Sequence, residues 1–363
     1  MIHHLFARSW TRTLVAAFVA LVFSVAITSI VLSVSGFNPP STFQAMFEFG
    51  KEPDSIVNTL NKAAGYYLSA LAVAVGFRMN LFNIGVDGQY RLAAMLAAAV
   101  GGTWALPAVL HQVVIIIVAV LVGGLWAAVP ALLKVTRGVS EVISTIMLNF
   151  IASGIIAYLL NPGRLAVQLG SNNVGTKTIS RSGRMPGIPF PGSDLRLYSF
   201  LVIAVLAGIA FWFMINRTRF GFDLRASGVS QSAAVASGVD VRRMVVMAMV
   251  MSGAIAGLIG MPQLLGGSYT YSLDFPTGIG LTGIGIALLG RNGPVGIAFA
   301  SLLWAFLDVS SQILDFNDIP KEIVAITQAA VLLSVVVVYE VVSRVGQRID
   351  QRHVAAQLGE VAA

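Results

Sequence analysis

Long apolar runs with few or no charges recur along most of the chain, and they constrain its fold more than any other feature. The first, from Thr13 to Leu32, contains no charged residue. A helix needs about 20 such residues to cross the roughly 30 Å hydrocarbon core of a bilayer. Charged residues make up only 11% of the sequence, and the mean hydropathy is +0.83. The pattern predicts an all-α polytopic membrane protein and excludes an ordinary soluble domain.

The charge balance and the residue types that are missing narrow the function. The formal net charge is +7, but the 23 Lys and Arg are scattered over short connections. This is typical of the cytoplasmic flanks of membrane helices and not of a nucleic-acid-binding surface. Without cysteine, and with four histidines at the ends and in one connection, we expect no disulfide, thiol catalysis or metal site. Arg8 and Arg12 precede a run too long for a signal peptide, so the first helix should be uncleaved, with its N-terminus inside.

About ten spans can be placed, which together predict a single transmembrane domain over residues 1–363, with 13–342 as its membrane region. Both termini should be cytoplasmic, and a five-plus-five division allows an inverted repeat. The eighth span is too short for the bilayer and rich in glycine, so it should be a short or broken helix packed within protein. The spans are Thr13–Gly36, Ser55–Phe77, Tyr90–Leu110, His111–Leu133, Ser140–Asn161, Leu197–Ile215, Met244–Leu265, Gly278–Gly290, Pro294–Leu314 and Glu322–Val342.

Four connections stand out between or beyond these spans. The first helix should stop at Asn38-Pro39-Pro40 and open an external loop that runs to about Asp54. Residues 163–196 are rich in Gly, Ser, Asn and Pro and predict a second, ordered or half-ordered external loop. Residues 216–243 form a polar cytoplasmic segment with room for one or two short helices. Residues 343–363 form a cytoplasmic tail.

Polar, Gly-containing backbone follows the second span, from Asn80 to Gln89. At membrane depth such a turn must be buried in protein or line a wet cavity, which favours a gate or pathway segment. The alternative is an ordinary cytoplasmic turn in which Asn and Gly serve the backbone. Composition does not separate the two. The candidate residues are Asn80, Asn83, Asp87 and Gln89.

The fifth span carries one polar stripe, since Glu141, Thr145 and Asn149 recur at helical spacing. A carboxylate inside a membrane favours a position that faces other helices. For Glu141 the alternative is a charge at a helix N-terminus, stabilised by the macrodipole. For Asn149 we expect a hydrogen bond to another helix.

Two charges lie inside outer membrane segments. Lys62 and Asp308 should each sit roughly 10 Å deep, and Asp308, Ser311 and Gln312 should share a helix face. This face is a candidate for the outer part of a solute pathway, with Lys62 as a partner. The alternative is that Lys62 extends to the interface and Asp308 makes a structural hydrogen bond. Around the short eighth span, Thr282 and Asn292 are further pathway or gate candidates.

Several of these stretches resemble one protein family in the family's own order. Residues 83–89, NIGVDGQ, are similar to the NIG-acidic-GQ motif of permeases of ATP-binding cassette importers, of the ribose/branched-chain amino acid type and its nucleoside and simple-sugar branch. Residues 138–149, GVSEVISTIMLN, resemble the fifth-helix signature of that family, and residues 219–239 its cytoplasmic loop. Residues 283–294, GIGIALLGRNGP, resemble the turn between its eighth and ninth helices. The likeness covers most of residues 60–314.

The resemblance implies that the polar segment is a coupling loop that docks on an ATPase. Residues 232–238 look like the E-A-A-x-x-x-G motif of importer permeases, although Ser232 stands where the pattern has Glu. Small residues would let a short helix sit in a groove of the ATPase, with charged contacts at its rim. The implied docking residues are Gly221, Asp223, Leu224, Arg225, Ala226, Gly228, Ala233, Ala234 and Gly238.

The resemblance also implies the role of the chain and its partners. It would be the membrane-spanning permease subunit of an importer for a nucleoside or related simple-sugar solute, in the bacterial plasma membrane. Its partners would be a cytoplasmic ATPase subunit, a second and different permease, an external substrate-binding protein or lipoprotein, and membrane lipid, but no nucleic acid. The chain lacks a phosphate-binding G-x-x-x-x-G-K-[ST] motif, so it should not be an enzyme. It should bind no cofactor, and ATP would be used by the partner.

Two other classes of function compete with this interpretation. The first is an ion-coupled secondary transporter of a small polar solute, because broken helices and inverted repeats are common there. It does not account for a polar docking segment. The second is a membrane scaffold or membrane-embedded enzyme, which does not account for polar stripes inside the spans.

Overall fold

The computed structural model describes residues 9–170, 172–316, 319–320 and 322–334, together with residues 337, 341 and 344. Its helices are α1 Ser9–Val34, α2 Pro39–Gly50, α3 Pro53–Phe77, α4 Val86–Thr103, α5 Ala108–Arg137, α6 Glu141–Leu159, α7 Phe200–Arg217, α8 Arg219–Val229, α9 Gln231–Ala236, α10 Val241–Gly257, α11 Met261–Gln263, α12 Ile279–Leu289, α13 Pro294–Ser310, α14 Gln312–Phe316 and α15 Glu322–Ser334. Four short strands lie between α6 and α7: β1 Ala166–Gln168, β2 Val174–Thr176, β3 Gly187–Pro189 and β4 Arg196–Tyr198.

Several of the described helices are long and apolar enough to cross a membrane. Five qualify: α5, α6, α7, the run Val241–Ser268 that begins with α10, and the run Pro294–Phe316 that contains α13 and α14. A sixth is counted if the bent pair Val22–Val34 and Pro39–Gly50 is taken as one span. The chain is a helical, multi-pass membrane protein, and its total of ten spans stays a prediction. The predicted tail 343–363 lies outside the described residues apart from Arg344.

The chain divides into two compact units: a terminal unit, Met1–Gly50 with Leu307–Ala363, and a central unit, Lys51–Phe306. In the terminal unit the expected external loop 38–54 is helical over most of its length, because α2 begins at Pro39 and leaves the preceding helix at 115°, and its external location stays a prediction. Proline is well tolerated in the first turn of a helix, where its missing N–H has no partner to lose. Thr42, Met46 and Gly50 are buried at four-residue spacing and give α2 one packed face.

Helix α3 forms the centre of the central unit. Every residue from Leu68 to Gly76 is buried, so the helix is enclosed on all sides. Glycines let the helices of this unit approach one another closely. A Cβ on Gly283 of α12 would lie 2.0 Å from Ser69 Oγ, and one on Gly257 of α10 would lie 2.0 Å from the carbonyl oxygen of Ala119 on α5. The predicted eighth span is therefore confirmed as the short helix α12, which packs within the protein.

Several helix boundaries differ from the predictions, and prolines explain two of them. The third span begins at Val86. It ends at Thr103 and does not continue to Leu110, because the residue before Pro107 is kept out of helical geometry. The regular helix of the seventh span ends at Gly257, since Pro262 has no N–H to bond to Leu258. The ninth ends at Ser310, and a separate short helix follows.

Residues 163–196 are more ordered than a loop. Strands β1 and β2 pair antiparallel with Val167 opposite Gly175, and β3 and β4 pair with Ile188 opposite Leu197. The first hairpin is tied to a distant segment, because the Thr176 N–H donates to the Tyr271 carbonyl at 2.9 Å. Since β4 runs to Tyr198, the sixth span starts at Phe200 and not at Leu197.

Candidate functional site

The turn between α3 and α4 is closed by an asparagine in the left-handed conformation. Asn80 has φ +55°. Its N–H donates to Phe77 O at 3.2 Å, and the Leu81 N–H donates to Gly76 O at 3.0 Å. This pair of bonds is a Schellman ending, and Asn accepts the left-handed region more readily than most residues. The predicted polar turn is therefore shorter than expected, because its last four residues, 86–89, already belong to α4.

Asn83 and Gln89 bond to each other in a buried network, which we call the amide lock. Asn83 Nδ2 donates to Gln89 Oε1 at 3.0 Å, and Gln89 Nε2 donates back to Asn83 Oδ1 at 3.0 Å. Asn83 Nδ2 also donates to Ser252 Oγ at 2.9 Å, and Ser252 Oγ donates to Ala72 O at 2.6 Å. Asn83 and Gln89 are only 2% and 1% exposed. The lock joins α3, α4 and α10, and a gate role for its members stays a prediction.

Asp87 lies where the N-termini of two helices meet. It is in the first turn of α4, and its Oδ1 accepts the N–H of Gly280 near the start of α12 at 3.3 Å. Its other oxygen lies 3.8 Å from Arg91 Nη1. A Cβ on Gly280 would lie 2.4 Å from the Asp87 nitrogen, so only glycine allows this approach. A carboxylate is stabilised at a helix N-terminus, and here it serves two of them.

The polar stripe of α6 faces the start of α4. Asn149 Nδ2 donates to Ile84 O at 2.9 Å, and its Oδ1 accepts the Gly88 N–H at 2.9 Å. The predicted bond from Asn149 to another helix is thus confirmed. Thr145 is fully buried and donates to the carbonyl of Glu141 at 2.6 Å.

Glu141 satisfies both of the interpretations that its sequence position left open. It is the first residue of α6, where the macrodipole favours a negative charge. It is also only 8% exposed, and its Oε2 lies 2.5 Å from Lys134 Nζ at the end of α5. The ion pair therefore links the end of α5 to the start of α6.

Helix α12 ends in a turn that strains two residues. Arg291 and Asn292 both have φ +55°. The Asn292 N–H donates to Ala287 O at 2.8 Å and the Arg291 N–H to Leu288 O at 3.0 Å, which is again a Schellman ending. Thr282, in the first turns of α12, is half-buried and donates to Gly278 O at 3.1 Å.

Arg78 connects this turn to the end of α3, and the sequence analysis did not single it out. Its Nη2 donates to the Asn292 carbonyl at 2.8 Å. The neighbouring Asn80 donates from Nδ2 to the Gly228 carbonyl of α8 at 2.7 Å. A lone arginine at the end of an apolar helix looks like an ordinary flanking charge, so only the fold reveals that the two side chains reach two different segments.

The polar segment 216–243 forms the two short helices α8 and α9, as predicted. Thr218 caps α8 by accepting the Gly221 N–H at 3.1 Å. A Cβ on Gly221 would lie 2.3 Å from the carbonyl oxygens of Met214 and Ile215, so α8 folds back tightly on α7. Leu224 lies on the buried face of α8, and the Arg225 guanidinium donates to Ile215 O. Asp223 and Ala226 are half-buried.

Helix α9 presents its small residues outward. Ser230 caps it by accepting the Ala233 N–H at 3.3 Å, and Ala234 is its buried residue. Ala233 and Gly238 are exposed. Gly238 ends the helix with φ +84°, and the Val239 N–H donates to Ala234 O at 3.0 Å. Glycine suits this left-handed position because it has no Cβ.

Three large apolar side chains protrude from the same two helices, and sequence reasoning missed them. Phe222, Val229 and Val235 are 63%, 88% and 61% exposed. Each is an ordinary apolar residue in sequence, so the sequence alone does not separate it from a core position.

The outer charges lie in different units. Lys62 is exposed on α3 of the central unit, and Asp308 is half-buried on α13 in the terminal unit. Their pairing stays a prediction. Ser311 is buried whereas Gln312 is exposed, so these two do not present one common face as expected, because α13 ends between Asp308 and Gln312.

A cavity of about 690 Å³ opens between α3, α7 and α13. Its walls are apolar apart from the hydroxyls of Tyr67 and Ser301, and none of the candidate pathway residues lines it. The buried polar candidates, such as Asn83, Gln89 and Thr145, therefore lie at helix contacts and not around this cavity, whereas Lys62 and Gln312 are exposed.

Comparison with known proteins places this arrangement in a family. The family model described as "Branched-chain amino acid transport system / permease component" matches residues 55–338. The guanosine ABC transporter permease protein of Bacillus subtilis (strain 168) is 35% identical over 332 residues, which are 90% of this chain and 94% of that protein. No solved structure shows a significant match.

Two further relatives extend the comparison. The nucleoside ABC transporter permease protein NupB of Lactococcus lactis is 30% identical over 342 residues, covering 90% of this chain and 92% of that protein. The glucose ABC transporter permease protein of Haloferax volcanii is 30% identical over 320 residues, covering 85% and 83%. Membership implies ATPase and substrate-binding partners. The chain belongs to this family of ABC transporter permease components, and it is a membrane-spanning transport subunit and not an enzyme.

Proposed function

We propose that the chain is the permease subunit of an importer for nucleosides, located in a bacterial plasma membrane. The observation that carries the proposal is the near full-length similarity to a guanosine and a nucleoside permease. The glucose permease at 30% identity is the reason to test simple sugars beside nucleosides. A neutral, hydroxyl-rich solute also suits a chain whose buried helix contacts are made by Asn, Gln, Ser and Thr.

In the proposed topology ten spans place both termini in the cytoplasm. The hairpins of residues 163–196 then face outside, and α8 with α9 face inside. The basic residues around α8 and α9 support this orientation, because Lys and Arg are enriched in short cytoplasmic connections.

We propose that α8 and α9 form the coupling segment that docks on a cytoplasmic ATPase. The exposed side chains of Phe222, Val229 and Val235 support this, since they give the segment apolar area that a partner would bury. Ser232 is exposed where the family motif has Glu, so the contact would lack one charge. The chain would bind no cofactor, and ATP would be used by the ATPase.

Gly238 offers a test of docking, because a Cβ at this position would meet no atom within 4 Å. Gly238→Arg should project a long side chain from the segment and abolish uptake while the chain still inserts. Gly238→Asn is the matched control, since Asn accepts the left-handed conformation with little bulk. Normal ATPase assembly and uptake with Gly238→Arg would refute the docking role.

A second, different permease should complete the pathway, with a substrate-binding lipoprotein or soluble binding protein delivering the solute. The 690 Å³ cavity has apolar walls and offers a nucleoside few polar partners, which supports a path completed by another subunit. That this subunit is a different permease rests on the resemblance to the nucleoside branch. Purification of the complex should yield both permeases in equal amounts. A complex with two copies of this chain and no second permease would contradict the heteromeric assembly.

The substrate is tested by uptake in a deletion strain. Labelled guanosine should enter cells that carry the intact gene and not cells that lack it, and unlabelled adenosine or uridine should compete. Unlabelled glucose, ribose and riboflavin serve as competitors from the neighbouring substrate classes. Guanosine uptake that is unchanged by the deletion, or competition by glucose alone, would refute the nucleoside assignment.

A further inference from the structure

We propose that Arg78 and Asn80 form a latch through which displacement of the coupling segment reaches helix α12. The inference rests on the proposed docking role of α8 and α9. Both residues act through other groups, so they are positioning residues for transport and not solute ligands.

The first link joins α8 to the end of α3 without slack. Asn80 Nδ2 donates to Gly228 O at 2.7 Å. On the same side, a Cβ on Gly228 would lie 2.2 Å from the Arg78 carbonyl oxygen, so backbone packs directly on backbone. A shift of α8 must therefore displace the α3–α4 turn.

The second link joins this turn to the C-terminal end of α12. The Arg78 guanidinium donates to the Asn292 carbonyl at 2.8 Å, and a bond from a charged donor is stronger than a neutral one. The acceptor belongs to a turn in which Arg291 and Asn292 both hold φ +55°. Arginine is strained in this region, whereas asparagine tolerates it, so Arg291 gives the turn a preference to relax when its partner moves.

The third link holds the other end of the same helix. Asp87 accepts the Gly280 N–H at 3.3 Å, and Ser69 Oγ donates to Ile279 O at 2.8 Å. Helix α12 has 11 residues and is about 16 Å long. One continuous segment, from Arg78 to Asp87, thus grips both ends of α12, and a movement of the turn is transmitted to the whole helix.

The side-chain bonds are additional to what closing the turn requires. The Schellman ending of α3 uses only backbone N–H groups and the left-handed φ of Asn80. Asn80 is exposed and Arg78 is half-buried, so neither bond is part of a sealed core. The geometry points to a contact between moving parts.

The test uses the complete transporter, reconstituted in liposomes with its ATPase, second permease and binding protein. The measurement is solute moved per ATP hydrolysed. Arg78→Gln and Asn80→Gly should each lower this ratio about tenfold, as expected for loss of one strong hydrogen bond, while ATP hydrolysis stays within about twofold. Asn80→Gly keeps the left-handed turn, so it should fold normally. Arg78→Lys, which retains a charged donor, should recover most of the ratio.

Arg137→Gln is the matched control, because Arg137 is exposed at the end of α5 and lies outside the turn. It should leave the ratio unchanged. Transport and ATP hydrolysis that fall in parallel in Arg78→Gln, or a ratio unchanged in both latch variants, would overturn the proposal. So would Arg78→Lys performing no better than Arg78→Gln.

A second readout is independent of the substrate. The chain contains no cysteine, so Leu281→Cys, at a half-exposed position of α12, introduces a single labelling site. Its labelling rate should change when ATP is added, and Arg78→Gln should abolish that change. A Leu281→Cys complex with Arg78 intact that moves no nucleoside but shows this ATP-dependent change, and loses it in Arg78→Gln, refutes the substrate assignment and supports the latch. An ATP-dependent change that persists in Arg78→Gln refutes the latch.

Discussion

Replacing Gln89 with Met should loosen the contact of α4 with α3 and α10 without changing solute affinity. The substitution keeps the length of the side chain but removes both amide bonds to Asn83, which are 3.0 Å long and buried. A net value of roughly 0.5–1.5 kcal/mol for each bond gives a loss of about 1–3 kcal/mol in the free energy of unfolding. The backbone bond from Gly85 and the bond to Ser252 still satisfy Asn83 in part.

Asn83→Leu should cost more, because it removes four bonds and leaves the amide of Gln89 buried without a partner. We expect a loss of about 3–5 kcal/mol. Asn216→Leu is the matched control: Asn216 is exposed on α7, so the change should stay within about 0.5 kcal/mol.

Both variants can be measured by titrating a denaturing detergent into micelles of the purified chain and following helix content. Uptake by the complete transporter, reconstituted in liposomes with each variant, gives KM. The amide lock predicts lower stability with KM unchanged. Normal stability of Gln89→Met together with a KM raised about tenfold would refute the lock and restore the pathway role that the sequence allows.

Three further predictions follow from single contacts. Gly257→Ala should destabilise the protein by about 1–3 kcal/mol in the same titration, because its Cβ would overlap the Ala119 carbonyl, whereas Gly154→Ala, with nothing within 4 Å, should be neutral or stabilising. Equal effects of the two would refute the close helix contact. Glu141→Gln should cost about 1 kcal/mol through loss of the Lys134 pair, and a double-mutant cycle with Lys134→Met that shows no coupling would contradict this. Asp308→Asn and Lys62→Met should reduce uptake if these charges line the pathway, and intact transport would exclude that role.

The places of the long apolar helices in the chain followed largely from the sequence, because such runs have few alternatives in a membrane, whereas the total of ten spans stays a prediction. Boundaries at prolines followed less well. The first helix ends ahead of Pro39 as expected, but Pro39 also begins a second helix, since both positions suit a residue that lacks an N–H. The buried face of α2, which decides between them, depends on contacts that a single sequence does not display.

The candidate site was foreseen in its residue types more than in its connections. Asn149 was expected to bond to another helix, and the spacing of the stripe on α6 was enough for that. For Asn83 and Gln89 the sequence allowed both a gate and an ordinary turn, because the same amides can line a wet path or bond to each other in a dry helix contact. Arg78 gave no periodic signal, and its partner Asn292 is distant in sequence, as is Gly228 of α8, the partner of Asn80.

The most direct test of the central claim is nucleoside transport in liposomes that contain either this chain alone or the complete complex with its ATPase. The claim is that this chain forms the path while a partner supplies the energy. We predict that labelled guanosine accumulates only with the complete complex and ATP, and that an ion gradient has no effect. Accumulation by the chain alone, driven by an ion gradient without ATP, would contradict the claim.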